Sequence, residues 1–312
     1  MIRPIVITFL LLAAGCTRPA GNTDAPEAAR DGVFPLTVRD ALGREVTLAR
    51  PPARIVSLGP SITETLFAVG AGARVVAVTT MDSFPPEVEH LPTVGGFAPE
   101  TISLETVLAQ KPDLVIAAGR FQQPVVEALA RLGINAVVID PDSLEGVVEA
   151  MVLVGKMTGQ KAKGDELAAD FHRRWEAVRR RAATIKPADR RRVLYVLWDE
   201  PLQTAGSHTF VGQMITEAGG CNIFPDASQQ YPRVSDEAVL SRNPDLILAP
   251  DHGGAELRER LMRRPSWEHL AAVKAERIVT VPEDLLHRPG PRLIEGLERI
   301  AVLLGEKKDQ GQ

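Results

Sequence analysis

Aromatic residues are few. Three Trp, two Tyr and nine Phe in 312 residues make each ring that falls on a loop a candidate contact rather than spare core. A basic excess is missing too: the net charge is −4, and the scattered Lys and Arg create no field that would hold nucleic acid. The six histidines, His90, His172, His208, His252, His269 and His287, form no close metal-ligand spacing, so no metal site is expected. No Gly-x-Ser-x-Gly elbow, P-loop or Gly-x-Gly-x-x-Gly occurs, and Ser207-His208 is an adjacency rather than a triad. The chain is therefore not expected to be an enzyme; a secreted enzyme is the remote alternative.

What is present begins at the N-terminus. Arg3 precedes a short apolar run, Ile5 to Leu12, and then Ala13-Ala14-Gly15-Cys16. A positive start, a short apolar core and small residues make a signal peptide, and the run is too short to span a bilayer as a helix. A cysteine directly after small residues resembles a bacterial lipobox, with Ala13 where Leu is more usual. The expectation is a signal peptide over 1–15 and a lipidated flexible tether over 16–33, rich in Ala, Pro, Gly, Asn and Asp. Acyl chains on Cys16 would hold the protein to a membrane, in the periplasm or at the outer cell surface. With Cys16 lipidated, Cys221 has no disulfide partner and reads as a small buried apolar residue.

Phe34 to Leu48 alternates polar and apolar around Asp40-Ala-Leu-Gly-Arg44 and predicts a β-hairpin. Short apolar strands then alternate with helices. Strands are expected at Arg54–Leu58, Arg74–Val78, Leu114–Ala117 and Ala136–Ile139, with helices near Ser61–Val69, Ser103–Ala109 and Pro124–Leu132. A helical stretch runs from Leu144 to about Ile185, with Leu167, Phe171, Trp175 and Val178 on one apolar stripe and arginines on the solvated remainder. Strands resume at Val193–Trp198, Leu246–Ala249 and Ile278–Val281, with a helix at Thr209–Ala218. Such alternation implies α/β architecture, a mostly parallel sheet covered by helices.

The two halves repeat. Ile102-Ser-Leu-Glu105 through Pro112-Asp-Leu-Val-Ile-Ala117 matches Val234-Ser-Asp-Glu237 through Pro244-Asp-Leu-Ile-Leu-Ala249 without gaps, at an offset of 237 − 105 = 132. We therefore expect two similar lobes, 34–143 and 188–307, joined through the helical segment 144–187, with 308–312 as a tail. Two such sheets facing each other create a ligand cleft at the carboxyl ends of their strands, and a stiff helix between them limits hinge motion.

Several segments carry a family resemblance. Arg54-Ile-Val-Ser-Leu-Gly-Pro-Ser-Ile-Thr-Glu64, the Asp40–Arg44 hairpin and Lys111-Pro-Asp-Leu-Val-Ile116 resemble the periplasmic binding proteins for cobalamin, haem and ferric siderophores. Pro201-Leu-Gln-Thr-Ala-Gly206 followed by Ala218-Gly-Gly-Cys-Asn-Ile223 is most similar to the cobalamin-binding branch. The resemblance implies two lobes joined by one long backbone helix, and a monomer that captures a small molecule and delivers it to an ABC permease dimer with its ATPase subunits. The ligand it implies is cobalamin or a related corrinoid, with haem or a ferric siderophore as the alternative on the same fold. No other cofactor is implied.

It also implies roles for particular residues. Glu105 and Glu237 follow the capping residues Ser103 and Ser235; they favour the helix dipole there, and by resemblance each docks one permease subunit. Asp284 and Arg288 match ligand-contacting positions of the cobalamin branch, and Tyr231 and Phe97 match loop rings able to pack on a flat macrocycle. Trp198, read at a strand end, is a candidate floor residue, and Phe121 a candidate wall. Met81 stands where that branch often has an aromatic. His287 lies between Asp284 and Arg288 and reads as a solvent-exposed loop residue, with contact to a ligand or to haem iron as the alternative. Arg120 and Arg233 are the further cations a siderophore site would use. Ser61 and Glu64 form a Ser-x-x-Glu capping-box pattern behind Gly59-Pro60.

Overall fold

The computed structural model describes residues 33–305, so the expected signal peptide, Cys16 and the tail 308–312 lie outside the described residues. The chain opens with an antiparallel hairpin of β1 (Leu36–Arg39) and β2 (Glu45–Leu48). Its Asp40-Ala-Leu-Gly-Arg44 turn is built by one side chain: Asp40 Oδ1 accepts from the amides of Leu42 and Arg44, and its other oxygen pairs with the Arg44 guanidinium. Gly43, at φ +77°, supplies the left-handed position that the turn requires. The turn leans on the first sheet, where the Ala41 amide donates to Val138 O and Arg44 to Ala136 O.

That sheet contains β3 (Ile55–Ser57), β4 (Val75–Ala77), β5 (Leu114–Ala118) and β6 (Ala136–Ile139) in the order β4-β3-β5-β6, all parallel. The second lobe begins with β7 (Arg192–Tyr195) and a small antiparallel pair, β8 (Trp198–Asp199) and β9 (Leu202–Gln203). With β10 (Cys221–Asn222), β11 (Leu246–Pro250) and β12 (Ile278–Val281) it forms a parallel sheet in the order β10-β7-β11-β12. Apart from the inserted β8–β9 pair, both sheets thus place their second strand at the edge, then the first, third and fourth. The strands are apolar runs buried on both faces, as parallel sheets demand.

The helices are α1 (Pro60–Ala68), α2 (Leu104–Ala109), α3 (Gln123–Arg131), α4 (Leu144–Met157), α5 (Lys161–Ala182), α6 (Phe210–Glu217), α7 (Asp236–Arg242), α8 (Gly254–Met262), α9 (Ala271–Lys274), α10 (Asp284–His287) and α11 (Leu293–Gly305). None among the described residues is long and apolar enough to cross a membrane.

The sequence repeat has an atomic counterpart. Ser103 and Ser235 cap α2 and α7 by accepting the amides of Thr106 and Ala238. Lys111 and Asn243 both hold positive φ, 48° and 40°, at the turn into the following strand. Asp113 accepts from the Arg54 amide and Asp245 from the Arg192 amide, while the two arginines donate to the carbonyls of Gln110 and Arg242.

Between the lobes, α5 is a single 22-residue helix, about 33 Å long at 1.5 Å per residue. Helix α4 packs along it through Gly155 and Gly164, where a Cβ on Gly155 would lie 2.8 Å from the Gly164 Cα. Both helices serve both lobes. Leu144, Val147 and Met151 of α4 and Phe171 and Val178 of α5 enter the core under the second sheet; Val154 and Met157 of α4 and part of Leu167 enter the core under the first. The expected stripe is therefore core, and Arg173, Arg174 and Arg179 on the other face pair with Asp170, Glu298 and Glu176.

Two local expectations are corrected. Ser61 and Glu64 make no capping box: Pro60 takes the first helical position of α1, so Gly59 is the cap and makes no side-chain bond. That shift leaves Ser61 and Glu64 inside the helix. Cys221 is exposed on the edge strand β10 rather than buried.

Candidate functional site

In both lobes the helices return antiparallel to the strands, so helix N-termini and strand carboxyl ends share one rim. A cavity of about 280 Å³ lies there between the lobes. The first lobe lines it with Pro60 and Ser61, from the first turn of α1, and with Met81 and Phe97, from the loop after β4. The second lines it with Glu283, Asp284, His287, Arg288 and Pro289, from the segment after β12.

The first-lobe wall carries one ring, Phe97, while Phe121, a candidate wall residue, backs it without lining the cavity. Phe97 and Phe121 meet edge to face at 5.0 Å between ring centres and remain partly exposed. Phe97 lies so close to Gly59 that a Cβ there would meet its ring at 2.8 Å. Gln122, fully buried, fixes these loops: its Oε1 accepts from the Ala118 amide at 2.9 Å, and its Nε2 donates to Leu58 O and Phe97 O at 2.9 and 2.8 Å. A glutamine beside an exposed Phe gave no signal of this role, because its partners lie 4, 64 and 25 residues away.

On the facing wall, His287 is not an exposed loop residue but ends helix α10 largely shielded from solvent; its Nε2 lies 2.6 Å from the Tyr195 hydroxyl, and the Tyr231 ring sits 6.2 Å from the imidazole. Burial, with a smaller contribution from His252, pushes the His287 pKa down to about 4, so the ring is neutral at pH 7. Burial also raises the pKa of both tyrosine hydroxyls. Tyr231 stands behind His287, packed on the second core, and is not among the lining residues. Trp198 also lies outside the cavity. Strand β7 ends at Tyr195, so Trp198 opens the β8–β9 pair instead of ending the strand; it is 49% exposed and stacks on His252 at 5.6 Å. His252 in turn faces Glu283 at 3.3 Å.

Asp284 and Arg288 line the cavity, and Arg288 is already engaged. Its guanidinium pairs with Asp284 at 2.8 Å and Glu64 at 3.4 Å, and donates to Ser83 Oγ and Met81 O at 3.0 and 3.3 Å. Arg292 donates to both oxygens of Glu64, at 2.9 and 2.7 Å, and lies 4.1 Å over the Phe84 ring. Glu64 is thus a first-lobe carboxylate, its side chain 1% exposed, held by two second-lobe arginines. Asp82 lies nearby, its pKa raised by burial against the opposing pull of Thr63, Thr79 and Arg288. Away from the cavity, Arg120 pairs with Asp140 at 3.4 Å and Arg233 is exposed.

Glu105 and Glu237 are both exposed in the first turns of α2 and α7, on the cleft-side rim of their own lobes. The carboxyl of Glu237 is held below its usual range by its own backbone amide and by the Ser235 side chain.

Comparison with known proteins places these features in a family. Residues 55–285 match the family described as periplasmic binding protein. The chain is 33% identical over 296 residues to an uncharacterized ABC transporter substrate-binding lipoprotein, YvrC, of Bacillus subtilis, covering 93% of this chain and 92% of that one. It is 30% identical over 310 residues to a cobalamin-binding protein of Halobacterium salinarum, covering 95% and 82%. Among solved structures, the periplasmic heme-binding protein RhuT of Roseiflexus sp. RS-1 superposes with a TM-score of 0.72 at 29% identity, covering 80% of this chain and 97% of that one. The chain belongs to the periplasmic binding protein family.

Proposed function

We propose that this substrate-binding protein of an ABC importer captures cobalamin or a related corrinoid in the inter-lobe cleft and delivers it to a permease. The observation that carries the ligand class is the pairing of an apolar wall built on Phe97 with a wall whose lining arginine is already paired. Phe97, with Phe121 behind it and Met81 and Pro60 beside it, offers apolar surface to a macrocycle face. Opposite, Arg288 is saturated by Asp284 and Glu64, and His287 is neutral. A corrin rimmed with neutral amides suits such a surface. Haem propionates or an anionic ferric chelate would need cations that these pairs have consumed.

The cavity is small beside a corrinoid, so the ligand is gripped along part of its surface and capture is shallow. In this reading Phe97, Asp284 and Arg288 touch the ligand directly, while Tyr231 positions His287 and Trp198 borders the mouth. Glu105 and Glu237 dock one permease subunit each, and lipid on Cys16 keeps the monomer at the membrane outside the cytoplasm.

Calorimetric titration of the purified Cys16→Ser chain with cyanocobalamin tests this, with haemin and a ferric siderophore as comparators. Tight one-to-one cobalamin binding is expected. Binding of haemin or the ferric chelate without cobalamin would move the ligand to iron.

A further inference from the structure

We propose that Glu64 latches the two lobes together beside the cleft, and that the lobes separate only when this latch breaks. Helices α4 and α5 already tie the lobes by entering both cores, but neither lines the cavity. The segment from Asp284 to Arg292 supplies a second tie at the carboxyl ends of the strands. From the second lobe, Arg292 grips both oxygens of Glu64, and Arg288 reaches Glu64, Ser83 and Met81 O. The backbone follows: a Cβ on Gly290 would lie 3.2 Å from Ser61 O.

The chemistry makes this contact switch-like. Glu64 is excluded from water, and its charge is tolerable there only while the arginines remain. Opening the lobes a little strands the carboxylate before solvent can reach it, so intermediate widths are disfavoured and the latched width is set sharply. The same segment carries Asp284, His287 and Arg288 on the cavity wall, so the latch also holds that wall at its distance from Phe97. Only the link between this latch and the ligand wall rests on the function proposed above; the latch itself rests on the contacts of Glu64 with Arg288 and Arg292.

The test is a distance measurement between nitroxides at Ala130→Cys on α3 and Glu259→Cys on α8, both exposed, with Cys16 and Cys221 replaced by Ser. Pulsed electron resonance of this parent is expected to give one narrow distribution. Glu64→Gln shifts it to longer distance and broadens it, Arg292→Gln does the same, and the double variant adds nothing because either change opens the same contact. Arg242→Gln, which breaks the Asp226 pair inside the second lobe, leaves the distribution unchanged. A Glu64→Gln distribution that superimposes on the parent, or shifts that add in the double variant, overturns the latch. If Glu64→Gln does not accumulate, Arg288→Gln and Arg292→Gln give the same reading from the other lobe, and unchanged distances in both overturn it.

Discussion

The Tyr195 hydroxyl and His287 Nε2 lie 2.6 Å apart on the second-lobe side of the cleft, and burial of the imidazole there ties folding to pH. His287 has its pKa lowered from 6.5 to about 4. Between those values the unfolded chain binds a proton that the folded chain refuses. The stability this site contributes is complete above pH 6.5 and is lost as pH falls toward 4, a total of about 3 kcal/mol. Urea midpoints measured from pH 7.5 to pH 4 should decline through this window, and His287→Gln should flatten the decline. An equal slope in the variant would assign the acid sensitivity elsewhere.

Phe97 presents its ring to the cavity while its backbone carbonyl is held by Gln122. Phe97→Ala removes the ring and keeps that hydrogen bond, so the loss should fall on the ligand. About tenfold weaker cobalamin binding is expected, equivalent to ~1.4 kcal/mol. Gln122→Ala unties Leu58, Phe97 and Ala118 together; it should weaken binding and also lower the melting temperature, which separates the positioning residue from the contact. Parallel calorimetry and thermal melts distinguish the two.

Much of this was legible in sequence, for identifiable reasons. Strands buried on both faces must be continuous apolar runs, so Leu114–Ala117, Ala136–Ile139 and Leu246–Ala249 stood out, each within one residue of the observed strand. The repeat was visible because Ser caps, the Pro-Asp turn and the following strand are local features with local chemistry. Glu64 was hidden because Ser-x-x-Glu is identical in spelling to a capping box, and its partner lies 228 residues away. Trp198 misled because an apolar run reads through the break after Tyr195. Cys221 misled because apolar character says nothing of an edge strand.

Glu105 and Glu237 occupy equivalent capped first turns in the two lobes. Replacing both with Ala removes a favourable helix-dipole interaction at each site, and at Glu237 its bonds to its own amide and to Ser235, so thermal stability should fall slightly. If they dock the permease, uptake by whole cells should be abolished while calorimetric ligand affinity is unchanged. Loss of uptake and affinity together would count against docking.

Lys111 and Asn243 share a left-handed backbone position, yet the repeat predicts opposite responses to glycine there. Lys111 pays a steric penalty at φ 48°, on the order of 1 kcal/mol for a residue with a Cβ. Glycine removes that penalty at the cost of a more flexible unfolded chain. Lys111→Gly should therefore stabilise modestly, by roughly 0.5 kcal/mol. Asn243, at φ 40°, tolerates the conformation better, and its Oδ1 accepts the Ala271 amide at 2.9 Å at the start of α9. Asn243→Gly loses that bond and should destabilise by about 1 kcal/mol. Urea denaturation of the two single variants checks the sign of each. A pair of changes in the same direction would mean that backbone strain, or the side-chain bond, outweighs the other at both sites.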